Sequence, residues 1–172
     1  MQLRPFLAKF DAVASFFQSP LLLVIRLYWG VSFALTGWGK LTNLDRTAGY
    51  FESLNIPLPK LNALMAGSTE CLGGALLALG LFARPASIPL IGTMTVAYLT
   101  AERDSLRPMV ADLRHFFAHF DFNSLSSAFA DADKFVTATP FLFLLASLIV
   151  LAFGPGKLSL DAWFGKNSGP AK

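Results

Sequence analysis

The sequence predicts an all-α, integral membrane four-helix bundle with an N-terminal amphipathic helix and a surface-helix loop between helices 3 and 4. Three observations carry that expectation. The first is composition: 54% of the 172 residues are hydrophobic and only 15% are charged, where soluble domains carry about 25% charged residues. The second is the presence of four apolar runs, predicted to span at 20–41, 61–82, 85–101 and 138–156. The third is the segment 102–137, which is long for a helix–helix connection and amphipathic rather than uniformly apolar.

Taken in order, 1–19 sets Arg4, Lys9 and Asp11 among Leu3, Phe6, Leu7, Phe10, Phe16 and Phe17 at helical spacing. This predicts an amphipathic juxtamembrane helix, distinct from a membrane domain over 20–172. Pro20 can open the first span, because a missing N–H is harmless at a helix start. Gly30, Ala34 and Gly37 then give it small contact positions. In the second span Ala63, Gly67, Cys71 and Ala75 recur every four residues, the small-residue stripe on which membrane helices pack. Pro85 can begin the third span and Pro89 can kink it, opening space inside the bundle. The fourth rests on Pro140–Pro155, shorter than the roughly 20 residues a perpendicular crossing needs, and is extended at both ends. Within 102–137, Pro108–Phe120 places Met109, Leu113, Phe116, Phe117 and Phe120 on one side of a helix, expected to cap the bundle at the membrane surface. The bases divide evenly between the two faces, so the assignment of both termini to the cytoplasm, with the chain in the inner membrane, rests on little asymmetry.

Glu70 is the most informative residue. It lies near the middle of an apolar run, where a carboxylate costs about 2.5–3.5 kcal/mol even on the lenient insertion scale. Each Cβ tilts toward the N-terminus of its own helix, so Glu70 and Lys40 lean toward each other, whereas Arg26 leans toward the opposite face. Two polar clusters are therefore expected: Glu70 with Lys40, and Arg26 with Asp161 and Arg84. An Arg26–Glu70 pair is the competing arrangement. Such pairs can do no more than fix helix register. They can also form a polar floor for a bound head group such as a quinone, with Trp38 beside it, or a proton path to that group.

Other signals narrow the function. Asp112, His115 and His119 share one side of a helix and could be read as metal ligands, but no second cluster completes a coordination sphere, and the expectation is no metal. The lone Cys71 cannot supply the thiol pair that disulfide exchange needs. A net charge of +3, scattered along the chain, does not suit nucleic acid. There is no Gly-rich phosphate loop and no nucleophile elbow.

The chain resembles the DoxX family of small bacterial four-helix membrane proteins, within the DoxD-like group. The resemblance is carried by Arg26-Leu27-Tyr28-Trp29-Gly30, Thr36-Gly37-Trp38-Gly39-Lys40-Leu41, Ile56-Pro57-Leu58-Pro59, Glu70 followed by Gly73-Gly74, Gly80-Leu81-Phe82-Ala83-Arg84, and Gly154-Pro155-Gly156-Lys157-Leu158-Ser159-Leu160-Asp161. It implies an accessory subunit of a membrane-associated oxidoreductase complex rather than a complete enzyme. The chemistry implied is thiol, sulfur or oxidative-stress redox, with a quinone as the candidate cofactor. Membrane lipids, redox proteins and a second copy of the chain are the implied partners. Arg26, Lys40, Glu70, Arg84 and Asp161 fall on the matching motifs and become site candidates. The alternatives are a non-catalytic scaffold or assembly protein and a small-solute transporter; four helices without an inverted repeat are few for the latter.

Overall fold

The computed structural model describes residues 3–167 of the chain, and the side chains of residues 15–165. The described residues form helices and no strand: α1 (Leu3–Thr42), α2 (Leu44–Ser53), α3 (Pro59–Leu79), α4 (Ala83–Thr100), α5 (Arg103–His119), α6 (Phe122–Thr137), α7 (Pro140–Phe153) and α8 (Leu160–Asn167). The all-α expectation holds. Pro20 does not open a helix; it lies inside α1, since one missing hydrogen bond does not terminate so long a helix. The amphipathic pattern expected of 1–19 falls almost wholly outside the residues whose side chains are described.

Helix α1 packs against α3, α3 against α4, and α4 against α7, while α7 returns to α1 and closes a ring. The tightest seam is α1 on α3, where backbone meets backbone. A Cβ on Gly30 would come within 2.6 Å of the Ala78 nitrogen, and one on Gly37 would collide with the Cys71 backbone. The predicted small-residue stripe holds at Gly67 and Cys71, then drifts to Gly74 and Ala78, leaving Ala75 exposed. A repeat of four runs ahead of the 3.6-residue turn, so the contact line steps back to i+3. Phe33, Leu77, Leu90, Met94 and Val150 fill the centre of the ring.

Among the described residues one segment, Ser15–Thr42, is long and apolar enough to cross a membrane alone. Helix α7, with 14 residues, is shorter than its predicted span. Helix α6 continues toward α7 but is bent from it by 88°. Gly, Ala, Ser, Thr and Pro dilute the hydropathy of α3 and α4. Outward-facing positions are nonetheless apolar: Leu21, Val24, Tyr28, Leu35, Leu64, Leu72, Ile88 and Leu148 are exposed, whereas Arg26, Glu70, Ser87 and Ser147 are buried.

The connector 102–137 is a hairpin of α5 and α6. It packs on itself and touches α4 and α7. Tyr98 anchors it, donating to the Phe135 carbonyl at 2.9 Å and stacking on that ring. Asp121 caps α6 by accepting from the backbone of Asn123 (3.1 Å) and Ser124 (3.4 Å).

Candidate functional site

Glu70 lies on α3 with 2% of its surface exposed. Lys40, in the last turn of α1, reaches both of its carboxylate oxygens, at 2.5 Å for Oε2. Thr36, one turn before Lys40 on the same face, donates to the Phe33 carbonyl at 2.9 Å and stands 3.4 Å from Glu70 Oε2. The pair joins two antiparallel helices because both side chains lean toward the same depth. The competing Arg26–Glu70 pair does not form.

A cavity of about 880 Å³ opens over this pair. Its walls come from α1 to α4, with Thr139 and Pro140 also in the lining. Pro89, Gly92 and Thr93 of α4 line it, where the sequence suggested a Pro-kinked helix would leave space. Met65 and Val96 make apolar wall; Arg46 and Asn43 lie toward the exposed end of α1 and the start of α2. Trp38, expected beside the pair, is 60% exposed and lies outside the cavity lining; two residues before Lys40 on a helix, it points about 200° away. Thr36, Arg46 and Tyr50 were not foreseen as part of the site. Thr36 was legible from its i, i+4 relation to Lys40; the α2 residues were not, because a ten-residue helix is too short to stand out from a loop.

The second cluster sits at the other end of the ring. Arg26 is fully buried; its guanidinium donates to the Leu158 carbonyl at 2.5 Å and to the Ala78 carbonyl at 3.5 Å. Its Nε has no partner among the described atoms. Asp161 accepts from the backbone N–H groups of Phe82 (2.8 Å) and Ala83 (3.1 Å), capping α4 from a distant part of the chain. Gly80, at φ +66° and flat against the Arg26 guanidinium, has no room for a side chain. Arg84 donates to the Ala152 carbonyl at 3.3 Å. The three predicted residues thus share a neighbourhood, but they bind backbone and form no ion pair with one another.

Asp112, His115 and His119 do not assemble a ligand set: no group of three potential metal-ligating residues occurs among the described residues. His115 Nδ1 is 2.7 Å from the Ser124 hydroxyl, and the His119 ring stacks on it. Cys71 is a free thiol packed in the α1–α3 seam.

A helical ring, apolar outside and charged within, defines a membrane protein class. Residues 21–103 match the DoxX family model, a stretch holding Arg26, Lys40, Glu70 and Arg84 and most of the cavity wall. The similarity to the DoxX family spans residues 21–103, 83 of the chain's 172. It is 29% identical over 150 residues to the uncharacterized membrane protein Rv3486 of Mycobacterium tuberculosis, covering 87% of this chain and 84% of that one. It is 35% identical over 68 residues to the inner membrane protein YphA of Escherichia coli, covering 40% of this chain and 49% of that one. No solved structure matches.

Proposed function

We propose that the chain is a multi-pass inner-membrane subunit in which α1, α3, α4 and α7 cross the bilayer as a four-helix bundle, with both termini cytoplasmic. It holds a quinone-class molecule in the cavity over Lys40 and Glu70 and serves a membrane oxidoreductase complex as an accessory subunit. The observation that carries this reading is a cavity of about 880 Å³ whose wall holds an ion pair between a buried Glu70 and a half-buried Lys40. That volume lies within the roughly 300–1,000 Å³ typical of small-molecule sites. Lys40 can donate to a head-group carbonyl and Glu70 can accept from a head-group hydroxyl, so the pair suits either redox state of such a ring. Apolar walls suit its tail. Exposed apolar surface on this scale is uncommon on soluble monomers, which supports lipid around the ring. With one cysteine, in a packed seam, the chain offers no redox-active pair of its own, hence the accessory role.

The test is affinity purification from native membranes in mild detergent, with mass spectrometry of retained proteins and lipids. A quinone retained by the native chain and reduced at least tenfold in Glu70→Gln supports the reading. Recovery of the chain with ordinary phospholipids and no redox protein overturns it.

A further inference from the structure

The α5–α6 hairpin lies almost entirely outside the DoxX-matched stretch and outside the cavity lining, yet it has an unusual surface. Arg103, Arg107 and Arg114 fall within about 40° of one another around the α5 axis, and all three are exposed. Arg103 bonds to the Leu99 carbonyl at 2.5 Å. Among the described residues neither Arg107 nor Arg114 has a carboxylate within ion-pair range. The two line an open groove of about 590 Å³ together with Leu106, Val110, His115 and His119. The acids of this helix, Asp104 and Asp112, lie about 60–180° round from the arginines.

The tip of the hairpin is aromatic. Phe117, Phe120 and Phe122 are each more than 70% exposed, and Phe129 follows on α6 at 72%. Phe116 holds the tip together, with ring centroids 5.3, 6.1 and 5.9 Å from Phe117, Phe120 and Phe122. Orientation supplies the last observation: α6 meets α7 at 88°. If α7 crosses the bilayer, α6 runs in the membrane plane, and the hairpin's main contacts with the ring are to α4 and α7.

We propose that the α5–α6 hairpin is an interfacial platform that binds anionic phospholipid head groups through Arg107 and Arg114 and inserts its aromatic tip at the head-group boundary. This rests on the four-span reading. Unpaired guanidinium groups fit phosphate oxygens by charge and geometry, and exposed phenylalanines beside them match the two-part chemistry of an amphipathic interfacial element. Each basic residue near an anionic surface contributes roughly fivefold to binding.

Two measurements test it on the full chain, with Cys71→Ala as background. Nitroxide labels at Phe122→Cys and Phe129→Cys, in nanodiscs containing phosphatidylglycerol, should be accessible to oxygen and shielded from a water-soluble nickel chelate, at shallow depth. A label at Leu35→Cys reports the span of α1 separately. A deep label at Leu35 with hairpin labels in water overturns the platform and leaves the four-span reading standing; a Leu35 label in water removes both. In native mass spectrometry, phosphatidylglycerol affinity should fall about fivefold for Arg107→Gln or Arg114→Gln and roughly 25-fold for the double variant, with phosphatidylcholine unaffected. Unchanged phosphatidylglycerol affinity in the double variant overturns the arginine assignment.

Discussion

The ring holds two charged clusters, one around a buried Glu70 and one around a buried Arg26, and the two are built differently. At one end Lys40 and Glu70 bind each other, side chain to side chain, beside about 880 Å³ of open volume. At the other, Arg26 and Asp161 bind backbone: carbonyls of Leu158 and Ala78 for the first, amides of Phe82 and Ala83 for the second. A charge committed to the backbone holds chain segments in place and has little freedom to turn elsewhere. A charge committed to another side chain beside a cavity stands where a guest can share its hydrogen bonds. The first arrangement reads as a site and the second as a clasp that ties the α3–α4 junction to the C-terminal segment.

The clasp should show the largest effect on stability. Arg26→Met removes two charge-assisted hydrogen bonds, worth about 1.5–3 kcal/mol each, and is expected to cost about 3 kcal/mol in unfolding measured in detergent micelles, while folded protein retains its quinone. Full stability with lost quinone would invert the comparison. Asp161→Ala uncaps α4 and should cost about 1–2 kcal/mol, read the same way, with hydrogen exchange rising first at Phe82 and Ala83.

The site should show the opposite pattern. Lys40→Glu combined with Glu70→Lys restores an ion pair across α1 and α3, so stability should return to within about 1 kcal/mol of the native chain. Quinone retention should stay low, because donor and acceptor have exchanged places against the head group. Mass spectrometry of the purified double variant decides the matter: recovery of retention along with stability would mean the pair only fixes register.

How far these two ends were legible in the sequence follows from the range of the interactions involved. Lys40 and Glu70 could be paired because helix geometry alone gives their depth and lean. The α1–α3 seam was visible in Gly30, Gly37, Gly67 and Cys71, where a local spacing reports a packing face. Arg26 and Asp161 could be placed at one end, but their backbone partners could not be foreseen, since a cap supplied from nearly 80 residues away leaves no local pattern. The same holds for the cavity, which is a property of four walls, and for α2 and α8, each ten residues or fewer. Trp38 was misplaced by proximity in sequence, where the helical turn sets direction. The bend before α7 was hidden because Thr139-Pro140 marks a helix boundary without fixing its angle.

The smallest effect contrasts two aspartate caps. Asp161 closes α4 across the fold, whereas Asp121 closes its own helix, α6. The Asp121 carboxyl is held below its ordinary value, mainly by the Ser124 hydroxyl and then by the Asn123 N–H, because these donors favour the charged form. A depressed native pKa means the stabilisation is complete above the unfolded-state value and is lost as pH falls through the native one, so the change begins below about pH 4. Hydrogen exchange, corrected for intrinsic rates, should show the first turn of α6 protected at neutral pH and opening at acid pH. Asp121→Asn keeps a capping oxygen that does not titrate, so its exchange should not depend on pH in that range. In Asp121→Ala at neutral pH, where only the local cap is removed, Phe82 and Ala83 should remain protected while the first turn of α6 opens. Simultaneous loss at both places would mean that the hairpin and the clasp form one cooperative unit, and the distinction between a local and a tertiary cap would fall.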